Sequence, residues 1–151
     1  MHDNIQIGFA RADELPQLVE LLAELFTLES DFRPNPEKQL RGLRTILHDP
    51  DIGRLFVLRV GGKVAGMANA LFTISTAEGW RVMTLEDVIV HREFRNRGLG
   101  RYLVEHVLDW AKGQHLTRVT LLSDRSNHNA LAFYHKLGFE ESHMSVLRKA
   151  L

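Results

Sequence analysis

The sequence predicts one α/β (α+β) domain, a mixed and mostly antiparallel sheet flanked by helices. Three observations carry this. Strand and helix periodicities follow in the order strand, two helices, three strands, helix, strand, helix, strand. The three middle strands have no helix between them and are joined by Gly61-Gly62 and Ala77-Glu78-Gly79, so they form an antiparallel meander. The 151 residues, 44% of them apolar and 25% charged, suit a single core and a single domain over 1–151.

The elements are read in turn. Ile5, Ile7 and Phe9 alternate with Gln6 and Gly8, which predicts a short first strand. Asp13 and Glu14 suit a helix start, where carboxylates meet unpaired N–H groups. Leu15, Leu18, Val19, Leu22, Leu25 and Phe26 continue that helix to about Leu28. Glu29 to Pro36 holds two prolines and reads as a loop. Leu40, Leu43, Ile46 and Leu47 predict a second helix over Glu37 to His48, stopped at Asp49-Pro50-Asp51. Strands are expected over Arg54 to Val60, Lys63 to Ser75 and Arg81 to Val90. Leu99, Leu103, Val104, Val107, Leu108 and Ala111 make the stripe of a third helix from Gly98 to Lys112. Arg118 to Leu122 is a short strand, Asn129 to Leu137 a short helix ended by Gly138, and Phe139 to Leu147 a terminal strand.

Composition excludes several function classes. Lys+Arg and Asp+Glu each number 19, so the basic excess of a nucleic-acid binder is missing. The chain has no cysteine, which rules out disulfides, thiolate metal sites and a Cys nucleophile and suits the cytoplasm. Met1 to Ala10 carries Asp3 and no long apolar run, so no signal peptide is expected. No run of roughly 18 apolar residues occurs, so neither a membrane span nor a membrane partner is expected. His128 and His135 share a helix edge, but no carboxylate completes a ligand set, so no metal is expected.

The segment richest in chemistry is Arg95-Asn96-Arg97-Gly98-Leu99-Gly100, between the run Val88-Ile89-Val90 and the third helix. Glycines let backbone approach a ligand, and the first N–H groups of a helix favour phosphate. Arg95, Arg97 and Arg101 add positive charge, so the loop reads as a pyrophosphate cradle. No Lys-Ser/Thr follows the second glycine, as a P-loop would need. No third glycine stands at the dinucleotide spacing, and the strand before it closes a meander. A glycine turn with solvated arginines is the plain alternative. A second constellation runs from Asn127-His128-Asn129-Ala130 through Phe133-Tyr134 to Gly138-Phe139. By itself it is a short helix capped by Asn127 or Asn129 and stopped by glycine.

Together the two segments resemble the GNAT superfamily of N-acetyltransferases. That family shares an Arg/Gln-x-x-Gly-x-Gly/Ala loop after the fourth strand, filled here by Arg95, Gly98 and Gly100. It also shares an Asn-x-x-Ala-x-x-Phe-Tyr-like helix ending in Gly-Phe. Asn127, Ala130, Phe133, Tyr134, Gly138 and Phe139 fill that pattern with a small shift. A narrower likeness joins Leu85-Glu86-Asp87-Val88-Ile89-Val90, Phe94-Arg95 and Glu24-Leu25-Phe26-Thr27-Leu28-Glu29 to spermidine/spermine and related diamine N-acetyltransferases. The segment after Phe139 departs from those enzymes.

The resemblance implies a GNAT fold and acetyl-CoA as cosubstrate. It implies that the CoA pyrophosphate rests on Arg95, Asn96, Arg97, Gly98, Leu99, Gly100 and Arg101. The pantetheine arm would run along Val88, Ile89 and Val90, and Asn127 would help shape its groove. Glu86 matches the position of the base that takes the amine proton, and Tyr134 matches the acid that protonates the departing thiolate. Strand alternation puts Asp87 on the face opposite Glu86. With no cysteine, direct attack in a ternary complex is expected. The acceptor is expected to be a small primary amine, such as a polyamine, a diamine or an amino-acid-like amine. Glu29, with Asp31 and Phe32, would meet it, and Trp80 would stand near the rim. A protein N-terminus or lysine, or an acyl-CoA-binding module without catalysis, are the rival readings. The family likeness also implies a homodimer.

Overall fold

A computed structural model describes residues 4–28 and 33–151. The chain runs β1 (Ile5–Phe9), a 3-10 turn at Ala12–Glu14, α1 (Leu15–Leu28), α2 (Pro36–His48), β2 (Gly53–Val60), β3 (Lys63–Ser75), β4 (Trp80–Val90), α3 (Leu99–Gly113), β5 (Val119–Leu121) and α4 (His128–Lys136). The strands form one sheet in the order β1-β2-β3-β4-β5. The first four are antiparallel neighbours, and β5 lies parallel to β4. The parallel pair needs a long crossover, which α3 supplies. At the β2–β3 turn, Gly61 and Gly62 have φ of +57° and +80°. Side chains rarely adopt that pair of angles, and it matches the twist of a two-residue hairpin.

Both faces of the sheet are covered. Phe56, Leu58, Ala68, Ala70, Met83 and Leu85 pack with Leu103, Val104, Val107 and Ala111 of α3. Leu55, Val57, Met67 and Ile89 pack with Leu15, Leu18 and Leu22 of α1 and Leu43 of α2. This explains the unbroken apolar run Leu55-Phe56-Val57-Leu58 in β2: each face of the strand meets a helix layer. Each such side chain, fully buried, is worth roughly 1.5–3 kcal/mol.

A buried ion pair joins the turn before α1 to β2. Arg59 donates Nε to Glu14 Oε2 at 2.7 Å and Nη2 to Glu14 Oε1 at 2.7 Å, and Nη2 also reaches the Phe9 carbonyl at 3.0 Å. The Arg11 amide donates to Glu14 Oε1 at 2.8 Å. Arg59 holds the Glu14 carboxyl below its ordinary range, against the opposing effect of burial. The pair pins the turn before α1 to β2, and so sets where α1 crosses the sheet.

The expected strand over Phe139 to Leu147 does not form. Glu140 to Leu151 is exposed and outside any ladder, with Met144 at 86% and Leu147 at 94% exposure. Alternating apolar residues signal strand preference, but a strand exists only where a neighbour supplies its hydrogen bonds.

Candidate active site

β4 and β5 pair only at Met83↔Val119, Thr84↔Thr120 and Leu85↔Leu121. Beyond Leu85 they part: β4 continues to Val90, and the chain after Leu121 leaves for α4. The edge of Glu86–Val90 turned away from β3 is left without a ladder partner, and such an edge accepts an extended, amide-bearing ligand.

The same stretch carries a β-bulge. The register steps from Met67↔Ile89 to Asn69↔Glu86, so Asp87 and Val88 together face Ala68. Asp87 has φ of +54° in the middle of the strand. Register partners share a face of the sheet. Glu86 therefore lies on the side of Asn69 and Leu55, which is the side covered by α1 and α2.

Alternation predicts Asp87 on the other side, and the bulge overturns that. Asn69 donates Nδ2 to Asp87 Oδ2 at 3.2 Å, so Asp87 joins Glu86 on the α1 face. The next two residues resume the alternation, Val88 packing with the α3 layer and Ile89 with the α1 layer. Burial raises the Glu86 carboxyl above its ordinary value, the neighbouring Asp87 charge raises it further, and Arg148 of the C-terminal segment opposes both. Burial raises Asp87 as well, and the Asn69 hydrogen bond opposes it. Asn69 itself is 4% exposed. The signal that could have found it was a lone polar side chain inside the apolar run Val64–Leu71.

At the end of β4 the chain turns through Arg92–Phe94 into the glycine loop. Gly98 caps α3 with φ of +75°, a conformation that side chains resist. On this turn Tyr102 N donates to the Gly98 carbonyl at 3.1 Å. The amides of Leu99, Gly100 and Arg101 precede it, so they point out of the helix start as donors for an anion. Gly100 faces α4: a Cβ there would meet the Phe133 ring at 3.6 Å and Val90 at 3.7 Å, ordinary contact distances, so alanine fits.

The three arginines of the loop differ. Arg95 donates Nε to the Val90 carbonyl at 2.8 Å and Nη2 to Glu24 of α1 at 2.6 Å, so it ties β4 to α1. Arg101 pairs with Glu105 one turn along α3 at 2.7 Å. Arg97 lies over the Phe94 ring at 5.5 Å, with no carboxylate partner among the described residues. Asn96 also has positive φ, +62°.

α4 stands on the β5 side of the opening. Asn127 caps it, accepting from the Ala130 amide at 3.0 Å. Tyr134 is half-buried, its ring edge-on to Phe133 at 5.1 Å and to Phe139 at 5.6 Å. Since Phe133 also reaches Gly100, one aromatic cluster links Tyr134 to the start of α3. Thus the gap between β4 and β5 has the glycine loop at its end, α4 on one side, and Glu86 with Asp87 on β4. Glu29, Asp31 and Phe32 lie outside the described residues. Trp80 begins β4 and is 53% exposed. Glu86 is six residue steps further along the strand, about 20 Å, so Trp80 stands away from this opening.

A split parallel pair with free helix-start amides at its mouth can seat an extended ligand that ends in an anion. The Acetyltransferase (GNAT) family profile matches residues 15–139, and the chain belongs to that family. An uncharacterized N-acetyltransferase of Methanocaldococcus jannaschii is 30% identical over 85% of this chain and 58% of its own length. The ribosomal protein bS18-alanine N-acetyltransferase of Escherichia coli is 32% identical over 58% of this chain and 55% of its own length. The chain thus spans little more than half the length of these relatives. Aminoglycoside N-acetyltransferase AAC(6')-Iy, solved in complex with CoA, shares the fold with a TM-score of 0.83 and 20% identity, over 99% of this chain and 97% of its own.

Proposed function

We propose that this protein transfers the acetyl group of acetyl-CoA to a primary amine by direct attack in a ternary complex. The observation that carries this reading is the open β4 edge over Glu86–Val90, with the Gly98 loop at its end and a carboxylate of raised pKa within it. In this reading the amides of Leu99, Gly100 and Arg101, with Asn96 and Arg97, hold the pyrophosphate. The Val88, Ile89 and Val90 backbone holds the pantetheine arm beside Asn127. Arg95 acts by bracing the loop against α1. Glu86 takes a proton from the ammonium, directly or through water. The freed amine attacks the thioester carbonyl, the C–S bond breaks, and Tyr134 gives its proton to the leaving thiolate.

The acceptor we propose is a small cationic amine, a polyamine, a diamine or an amino-acid-like amine, in keeping with two carboxylates side by side on the strand that borders the opening. The rival acceptor is the amine of a protein, the substrate class named for the Escherichia coli relative. A thiol-release assay across an amine panel separates them: turnover with small amines supports the first, turnover only with peptides the second, and none with either removes the activity.

Acetyl-CoA at a hundred times its Kd should stabilise the fold by about 2.7 kcal/mol. For a domain of this size that raises Tm by roughly 5–10 °C. Gly98→Asp should abolish the rise, because it adds a side chain where φ is +75° and a negative charge where the diphosphate sits. A variant that kept the full shift in a thermal melt would remove the loop from the cofactor site.

We further propose a cytoplasmic homodimer. Exposed Met144, Val146 and Leu147 and the open outer edge of β5 are surfaces that a second copy would cover. A monomeric mass by light scattering at assay concentration would overturn the dimer.

A further inference from the structure

We propose that Asn69 is a positioning residue of the transfer: buried beneath the β4 bulge, it clamps Asp87 beside Glu86 so that the two carboxylates act as one proton-accepting unit. The inference rests on the acetyl-transfer reading above.

Three features meet at this spot, and the first two each cost stability. Asp87 holds φ of +54° inside a strand, a conformation that persists only where its surroundings impose it. Asn69, 4% exposed, spends its Nδ2 on Asp87 at 3.2 Å, while its buried Oδ1 has no partner among the described residues. An orphaned buried acceptor calls for an explanation. Asn69 is also the register partner of Glu86, so the clamp lies on the same face of the sheet as the adjoining carboxylate. A strand without the bulge would leave Asp87 on the α3 face, where apolar side chains pack. The bulge and the clamp together bring a second carboxylate to the amine's side of the sheet.

The charged groups around the pair can be named. On β4 they are Glu86 and Asp87 themselves, and β3 contributes only the neutral Asn69. The C-terminal segment brings Arg148, whose positive charge acts on Glu86. α1, packed against β4, brings Glu20, which is exposed, and Glu24, which is paired with Arg95 at 2.6 Å.

These relations make both side chains act on one limb, through the charge on Asp87. Asp87→Asn removes the like charge that raises Glu86, so the acid limb of kcat/KM should move to lower pH. Asn69→Leu keeps the heavy-atom count but removes the donor that favours ionised Asp87; Asp87 then stays protonated to higher pH and raises Glu86 less, so the limb should again move to lower pH. The Asp87→Asn shift should be about one pH unit, roughly tenfold in kcat/KM on that limb, and the Asn69→Leu shift smaller. The double variant should behave as Asp87→Asn alone, because Asn69 acts only through Asp87.

The experiment is kcat/KM against pH for the three variants with the best amine of the panel. Carboxyl 13C NMR titration of the same proteins with unsubstituted controls reports both groups without turnover, and acetyl-CoA thermal stabilisation verifies the fold. Asn69→Ser restores a shorter donor and should return the limb part of the way. Unmoved limbs in Asn69→Leu and Asp87→Asn, with rate or stability lowered evenly across pH, would reduce the pair to a structural role and overturn the proposal. Absence of turnover by the unsubstituted protein would instead remove the reading of function. If Asn69→Leu does not fold, the Asp87→Asn limb and the NMR titration of the unsubstituted pair decide alone: an unshifted Glu86 overturns the proposal.

Discussion

Tyr134→Phe is expected to lower kcat by ~10² to 10⁴, the loss typical of a positioned proton donor, with acetyl-CoA affinity unchanged. The phenol is proposed to act as the thiolate leaves, so its removal raises the barrier after the ternary complex has formed. The ring stays, and with it the edge-on contacts to Phe133 at 5.1 Å and Phe139 at 5.6 Å, so α4 should keep its place against Gly100. The measurement is steady-state kcat alongside the thermal shift with acetyl-CoA. Full kcat would hand the thiolate's proton to water or to the substrate. Equal loss of affinity and rate would make Tyr134 a binding residue.

Glu86→Gln should have the second large effect, and its size should depend on pH. The carboxyl is raised by burial and by Asp87. The unsubstituted enzyme should therefore gain activity as the pH climbs through a value above the ordinary carboxylate range, where Glu86 becomes able to accept a proton. Glutamine cannot accept it, so the variant relies on amine that is already neutral, and its rate should keep rising towards the amine's own pKa. The ratio of the two rates should be greatest between those values, ~10² or more, and should shrink at high pH. A constant ratio across pH would place Glu86 in substrate binding and not in proton transfer.

Much of the frame was legible in the chain because local chemistry sets it. The glycine pair at 61–62 demanded a tight turn, and Gly98 marked a helix start with φ of +75°. The apolar stripes of α1, α2 and α3 placed those helices to within about two residues. Asn127 was readable as one of two caps, and the structure selects it through the Ala130 amide at 3.0 Å.

What the tertiary structure decided concerns partners that are distant in sequence. Arg95 was readable as part of a phosphate cradle, while its contact with Glu24, 71 positions away, is one that no local pattern signals. The C-terminal apolar residues looked like a strand, but no neighbour is there to pair with them. Trp80 looked like a rim residue, but it opens the strand whose far end holds the site. The sharpest case is Asp87. Period-two alternation assigns it to the α3 face, and alternation is all a single strand can express. A bulge is a property of two strands, because it counts residues on β4 against residues on β3. Only the paired sheet could turn Asp87 onto Asn69 and bring both carboxylates to one side. The residue types able to move a proton were therefore written in the chain, while their number at the site was set by register.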